Sequence, residues 1–273
     1  AVILERGSYA VEDTLKKLPA LEAEVTERLK DIIAREVVHD YFELLPHRYF
    51  LTNKPDIIAE HITAISELNE KPFVIQINQR SAWNYTEITL CTVDIHGLFS
   101  RVTGIMVAHN INIIGAQIYT MKNGLILDVL QTNSSLGRMI TDEGRLRSIE
   151  QDLEKVLTGH ISIENLIEER APSILAQKEQ PTIRTSVAID NEVSETFTVI
   201  DIKTADRVGL LYQVTKVISR LGLLISIAKV STKGGEATDI FYVLDGSMRK
   251  VVAEEKLQEI TESLYETLGA AAK

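Results

Sequence analysis

The sequence predicts an α+β protein in which a helical N-terminal segment precedes two copies of one strand–helix unit. Three observations predict it. Apolar residues recur at helical spacing over the first seventy residues, and from residue 72 the spacing changes to strand-like alternation. Residues 94–120 then fall on residues 206–232 without a gap, with eight of 27 positions identical, where average residue usage gives about two.

Residues 1–70 form the helical segment. Leu21, Val25, Leu29, Ile32, Ile33, Val37 and Val38 recur at spacings of three and four, which stacks them on one helical face, with Pro19 near that helix's start and Pro46 beyond its end. A second helix follows Asn53, with Ile57, Ile58, His61, Ile62 and Ile65 on one stripe and Pro55 in the first turn. Strands PFVIQIN and YTEITLCTVD come next; in the latter Ile88, Leu90 and Thr92 alternate with Thr89, Cys91 and Val93. A shift of 112 pairs Ile75 with Val187, Ile77 with Ile189 and Tyr85 with Phe197, so each repeat begins before its best-matched stretch. Asp128 pairs with Asp239 at 111, and the deletion falls in KNG against KGG, a hairpin turn where length changes are tolerated.

Each copy therefore reads strand, strand, helix, strand, hairpin, strand, helix. The first helices run from about Leu98 to Asn110 and from Leu210 to Leu221; the closing ones are EGRLRSIEQDLEKVL and AEEKLQEITESLYETL. Asp142 and Glu143 stand at the start of the former, where helix-end charge favours acids. The two units span 71–159 and 183–273, with the polar, proline-bearing stretch 160–182 as their connection. Nothing strand-like follows the last helix, so the fourth strand of each sheet is expected from residues 73–78 and 185–190, which precede the repeats; the sequence leaves open which unit each serves.

Composition narrows the function classes. At 273 residues, 45% hydrophobic and 25% charged, the chain has the make-up of a globular protein of about two domains. Its 39 acidic against 29 basic residues give a net charge of −10, which argues against nucleic acid as partner. Cys91 is the only cysteine, so neither an intrachain disulfide nor a multi-cysteine metal site can form, as expected for a cytoplasmic protein. No apolar run approaches the length of a membrane span. The start without methionine is expected of a piece cut from a longer chain, or equally of a processed N-terminus.

The chemistry-bearing signal is the spacing D-x-x-G-L at two strand-to-helix junctions, Asp94 to Leu98 and Asp206 to Leu210. An aspartate there can accept backbone hydrogen bonds from the turn, and glycine lets the chain bend. The helix start then presents unpaired N–H groups that can hold a small molecule's carboxylate, unless the aspartates simply cap their helices. His96 lies within the first turn.

Taken in order, D-x-x-G-L, a helix, Asn112-Ile113 or Leu224-Ile225, Ala-x-(Ile/Val)-x-Thr, a turn and an aspartate resemble the ACT domain, a small-molecule sensing module. The resemblance implies a ferredoxin-like βαββαβ fold whose units pair side by side and bind amino acids between them. Residues 45–62 and 188–211 further resemble segments of the bifunctional PII-protein uridylyltransferase/uridylyl-removing enzyme family, following its HD domain and leading into its second ACT domain. The match covers roughly residues 12–268, and the chain looks like the C-terminal regulatory region of that family. The implied function is glutamine sensing that controls PII protein in nitrogen metabolism, acting through the full-length enzyme. A stand-alone amino-acid-binding ACT-repeat protein without catalysis is the alternative.

The site residues this implies are Asp94, His96, Gly97, Leu98 and Asn112 in the first copy and Asp206, Gly209 and Leu210 in the second. Ile95, His96 and Val208 depart from the family's D-R-P-G turn. The first copy is the better ligand site, because Asn112 offers a donor and an acceptor where the second copy has Leu224. No catalytic or metal-ligating residue is expected in this chain, although the parent family is a nucleotidyltransferase and hydrolase. The D-x-D carboxylates of two-metal phosphoryl chemistry are missing, so magnesium is expected only in the family's separate catalytic domain. His39-Asp40, preceded by no other histidine, reads as a surface or packing pair.

Overall fold

The structure, a computed structural model, describes residues 7–68, 71–93, 95, 97–170 and 183–270. Helices α1 (Gly7–Leu29), α2 (Arg35–Leu44), α3 (His47–Thr52) and α4 (Pro55–Ser66) make up the N-terminal segment. The apolar stripe expected on one helix across residues 21–38 is thus divided. Ala34 is extended, with ψ at 145°, and the break leaves Ile32 69% exposed while Ile33, Val38 and Phe42 stay buried. Pro19 lies inside α1 and not near its start, a position that costs the helix one backbone hydrogen bond. In the second stripe Pro55 opens α4, Ile58, His61, Ile62 and Ile65 are buried, and Ile57 is only half-buried at its edge. His61 Nδ1 and the Tyr49 hydroxyl are 2.9 Å apart in that core.

The first repeat comprises β1 (Phe73–Arg80), β2 (Tyr85–Val93), α5 (Leu98–Ala108), β3 (Ile111–Thr120), β4 (Leu125–Ser134) and α6 (Glu143–Leu157). Asp142 caps α6, accepting the Arg145 N–H at 2.6 Å. Helix α7 (Ile163–Arg170) follows, within the stretch read from sequence as a plain connection. The second repeat comprises β5 (Ser186–Asp190), β6 (Thr198–Ala205), α8 (Leu210–Arg220), β7 (Leu224–Lys233), β8 (Glu236–Leu244) and α9 (Glu254–Leu268). Gly234 and Gly235 make the two-residue turn between β7 and β8, both at positive φ, as a hairpin of that length demands.

All eight strands form one sheet in the order β1-β2-β4-β3-β7-β8-β6-β5. The fold is ferredoxin-like in each half, with the fourth strand supplied from before the repeat. Strand β5 pairs antiparallel with β6 from Ser186↔Lys203 to Asp190↔Val199, and β1 lies beside β2, so each donor strand serves its own unit. The halves meet at β3 and β7, where Ala116 pairs with Ala228. Those two alanines occupy the same place in the repeat. So do Thr103 and Thr215, whose hydroxyl oxygens are 2.9 Å apart and buried. Positions that meet their own counterparts mark a local two-fold axis.

The chain divides into two compact units. One gathers the helical segment with residues 71–76, 89–93 and 118–128, and the other holds 77–88, 95, 97–117, 129–170 and 183–270. In the first, Cys91, Tyr119, Met121 and Leu127 are all buried. Strand β2 is buried from Thr86 to Thr92 on both faces, not on one as its alternation predicts. Arg48 donates to the Ile118 carbonyl at 2.7 Å, and the Lys122 N–H donates to the Leu44 carbonyl. In the second repeat the corresponding positions are Lys203, Ser231, Lys233 and Thr238, the first three of them exposed.

Candidate ligand-binding cleft

Both D-x-x-G-L turns bend at a glycine in left-handed conformation, Gly97 with φ 74° and Gly209 with φ 78°. The Leu210 N–H reaches the Arg207 carbonyl at 3.1 Å, which makes Gly209 the third residue of a type II turn, a place that excludes side chains needing negative φ. Each glycine also lies against the other repeat. A Cβ on Gly97 would stand 3.1 Å from Ser219 Oγ, and one on Gly209 would stand 3.9 Å from Val107 Cγ1. Val107 and Ser219 are again equivalent positions, so the two-fold axis relates two turn-on-helix junctions.

The Gly97 junction opens into a cleft of about 550 Å³, within the range of small-molecule sites. Gly97, Ser100 and Arg101 line it from the start of α5; Tyr212, Gln213, Lys216, Ser219 and Arg220 line it from α8; Ser162, just before α7, and Ile163 and Glu164 in its first turn complete the lining. At the Gly209 junction the counterparts of Lys216, Ser219 and Arg220 are Gly104, Val107 and Ala108, so the facing helix carries these polar and cationic side chains at one end only.

The cleft carries both signs of charge. Neither Arg101 nor Arg220 pairs with a carboxylate among the described residues. Glu164 Oε1 takes the Lys216 ammonium at 2.7 Å and the Tyr212 hydroxyl at 3.2 Å. The Lys216 hydrogen bond, with help from its own backbone N–H, lowers the Glu164 pKa below the ordinary carboxylate value. The first turn of α5 adds backbone N–H groups and the positive end of its dipole.

Of the residues expected at a ligand site, Gly97 lines the cleft, and Leu98 and Leu210 are buried beside the turns. Asn112 is exposed on β3 and donates to the Ser134 carbonyl at 3.4 Å. Asp94 and His96 lie outside the described residues. Asp206 accepts no turn hydrogen bond among the described residues; its backbone N–H donates to the Gly235 carbonyl, and its carboxylate acts on Asp239. Asp239 is 2% exposed, its Oδ1 has no hydrogen-bond partner among the described residues, and burial pushes its pKa up to about 7.

The residues that sequence reasoning missed, Arg101, Ser219, Arg220 and α7's Glu164, belong to helix faces and a connection. The shift of 112 held part of the signal, since it sets Gly104, Val107 and Ala108 against Lys216, Ser219 and Arg220. Elsewhere, His39 Nδ1 and Glu22 Oε1 are 2.9 Å apart on the surface. No cluster of three metal-ligating side chains occurs among the described residues, and no described helix is long and apolar enough to cross a membrane.

Residues 186–272 match a family model described as "ACR9-like, ACT-like domain". Curated relatives named bifunctional uridylyltransferase/uridylyl-removing enzyme match much more of the chain. The one from Azospirillum brasilense is 32% identical over 96% of this chain and 28% of its own length. That from Rhodospirillum rubrum is 36% identical over 66% of this chain and 19% of its own, and that from Gluconobacter oxydans 27% identical over 99% and 29%. The chain thus spans less than a third of the length of these relatives.

Proposed function

From a chain similar over nearly its whole length to part of the bifunctional uridylyltransferase/uridylyl-removing enzymes, we propose a regulatory region that senses glutamine through paired ACT units, 71–159 and 183–273. Through the longer enzyme it sets the balance of uridylylation and deuridylylation of PII protein in the cytoplasm. Magnesium-dependent chemistry lies in the remainder of such an enzyme. This chain supplies a binding equilibrium, and an effector shifts a two-state enzyme by the difference in its affinity for the two states.

The observation that carries this reading is the cleft at the Gly97 turn. An α-carboxylate fits between the N–H groups opening α5 and the guanidinium groups of Arg101 and Arg220, as charge-assisted hydrogen bonding favours. The remaining polar wall, with Ser219 and Gln213, suits a side-chain amide. Titration calorimetry of the 273-residue chain with glutamine tests it. Binding at one site per chain is expected, weakened about 10- to 150-fold in Arg220→Ala by loss of a hydrogen bond to a charged group. Absence of glutamine binding by the wild-type chain would refute the reading.

A further inference from the structure

Helix α7 belongs to neither repeat, yet it forms the third wall of the cleft. Its seating is specific. Ile163 packs where a Cβ on Gly104 would come within 2.4 Å of it, so only glycine on α5 admits the helix this closely. Leu166 is buried, and at the far end Arg170 pairs with the fully buried Asp152 at 2.8 Å. Asp152 also faces His109 Nε2 at 3.0 Å and Lys155 at 3.2 Å. Anchored so, α7 holds Glu164 at the cleft with Oε1 occupied by Lys216 and Tyr212, while Oε2 takes no side-chain donor among the described residues.

We propose that Glu164 is the residue that recognises the ligand's ammonium group, so that α7 makes the cleft selective for an α-amino acid with a free amine. The proposal rests on the cleft being an amino-acid site. Arg101 and Arg220 form its cationic pole and Glu164 its anionic pole. The poles line one cavity without pairing with each other among the described residues, which leaves room for a zwitterion to satisfy both. Lys216 and Tyr212 fix the carboxylate in place, so it is oriented before the ligand arrives and the entropy of ordering it is not charged to binding. An uncharged or N-acylated amine would leave Glu164 Oε2 facing a group that cannot offer an ammonium.

Calorimetry on the full chain decides the matter with three probes: glutamine, its N-acetyl derivative, and glutaramate, which lacks the amine. The wild-type chain is expected to prefer glutamine to both analogues by about 10- to 150-fold. Glu164→Gln should lose that preference, binding all three with similar, weak affinity. Glu168→Gln, an exposed change of equal charge on the same helix, should behave as wild type, and a thermal melt of each variant checks that α7 remains folded. Retained preference in Glu164→Gln, or equal losses in the two variants, would overturn the role of Glu164 while leaving the amino-acid site intact. Failure of the wild-type chain to bind glutamine would remove both.

Discussion

Replacing Asp239 with asparagine should stabilise the protein at neutral and alkaline pH and leave it unchanged in acid. Asp239 is buried on β8 with one oxygen unpartnered among the described residues and the charge of Asp206 nearby; burial first, and then that like charge, raise its pKa from 3.8 to about 7. The backbone N–H of Ser231 opposes the shift without cancelling it. A raised carboxyl pKa means that the folded state holds a proton the unfolded chain has released. The group's contribution to stability is therefore complete below pH 4, falls as pH rises, and is fully lost above pH 7. Roughly three pH units at 1.36 kcal/mol each give about 4 kcal/mol as the upper size of that loss. Asparagine keeps the acceptor for Ser231 and carries no charge to bury. Urea unfolding of both proteins at pH 4, 6 and 8 measures the difference directly, since titrations common to both cancel. The variant should match wild type at pH 4 and exceed it increasingly to pH 8. A difference independent of pH would refute the account of Asp239 as a buried acid.

Gly104→Ala should push Ile163 away and loosen α7, costing about 1–3 kcal/mol as overpacking does; urea unfolding shows the loss, and an unchanged midpoint would contradict the close approach of α7 to α5. Cys91 is buried, and burial pushes its thiol pKa up to about 12. It should react with a thiol reagent at pH 8 only as fast as the protein opens, so rapid labelling of the native chain would be inconsistent with the covered face of β2.

The fold was largely legible in the sequence because the duplication shows twice what a single copy shows once. The shift of 112 located both helices after the motif turns and both edge strands, and the change from KNG to KGG marked the hairpin. The break between α1 and α2 was not legible, since Ile32 and Ile33 continue the apolar spacing through a stretch whose backbone leaves the helix. Single-copy alternation also misjudged β2. Comparing repeats would have shown why: Cys91, Tyr119, Met121 and Leu127 stand where the second copy has Lys203, Ser231, Lys233 and Thr238, the pattern of a sheet face covered in one copy and polar in the other. At the cleft, the turn glycines could be read because positive φ restricts residue choice. Arg101, Arg220 and Glu164 could not, because surface helix positions accept charged residues whether or not a ligand is present.

A two-fold axis through Thr103 and Thr215 builds two junctions with the same glycine conformation, and side chains decide what each one presents to its surroundings. At one, Gly97 faces Ser219 with Arg220 and Lys216 close by; at the other, Gly209 faces Val107, and the positions of the two cations are Ala108 and Gly104. The loss of Lys216's counterpart is also what seats α7, since only a glycine there lets Ile163 approach α5. One substitution pattern therefore removes polar groups from the second junction and completes the third wall of the first. A carboxylate brought to the Gly209 junction would meet helix N–H groups but apolar neighbours from the facing helix, so its desolvation would go largely uncompensated. Under the proposed sensing role the expected stoichiometry is therefore one ligand per chain, at the Gly97 junction, and two ligands per chain in calorimetry would contradict this reading of the two junctions.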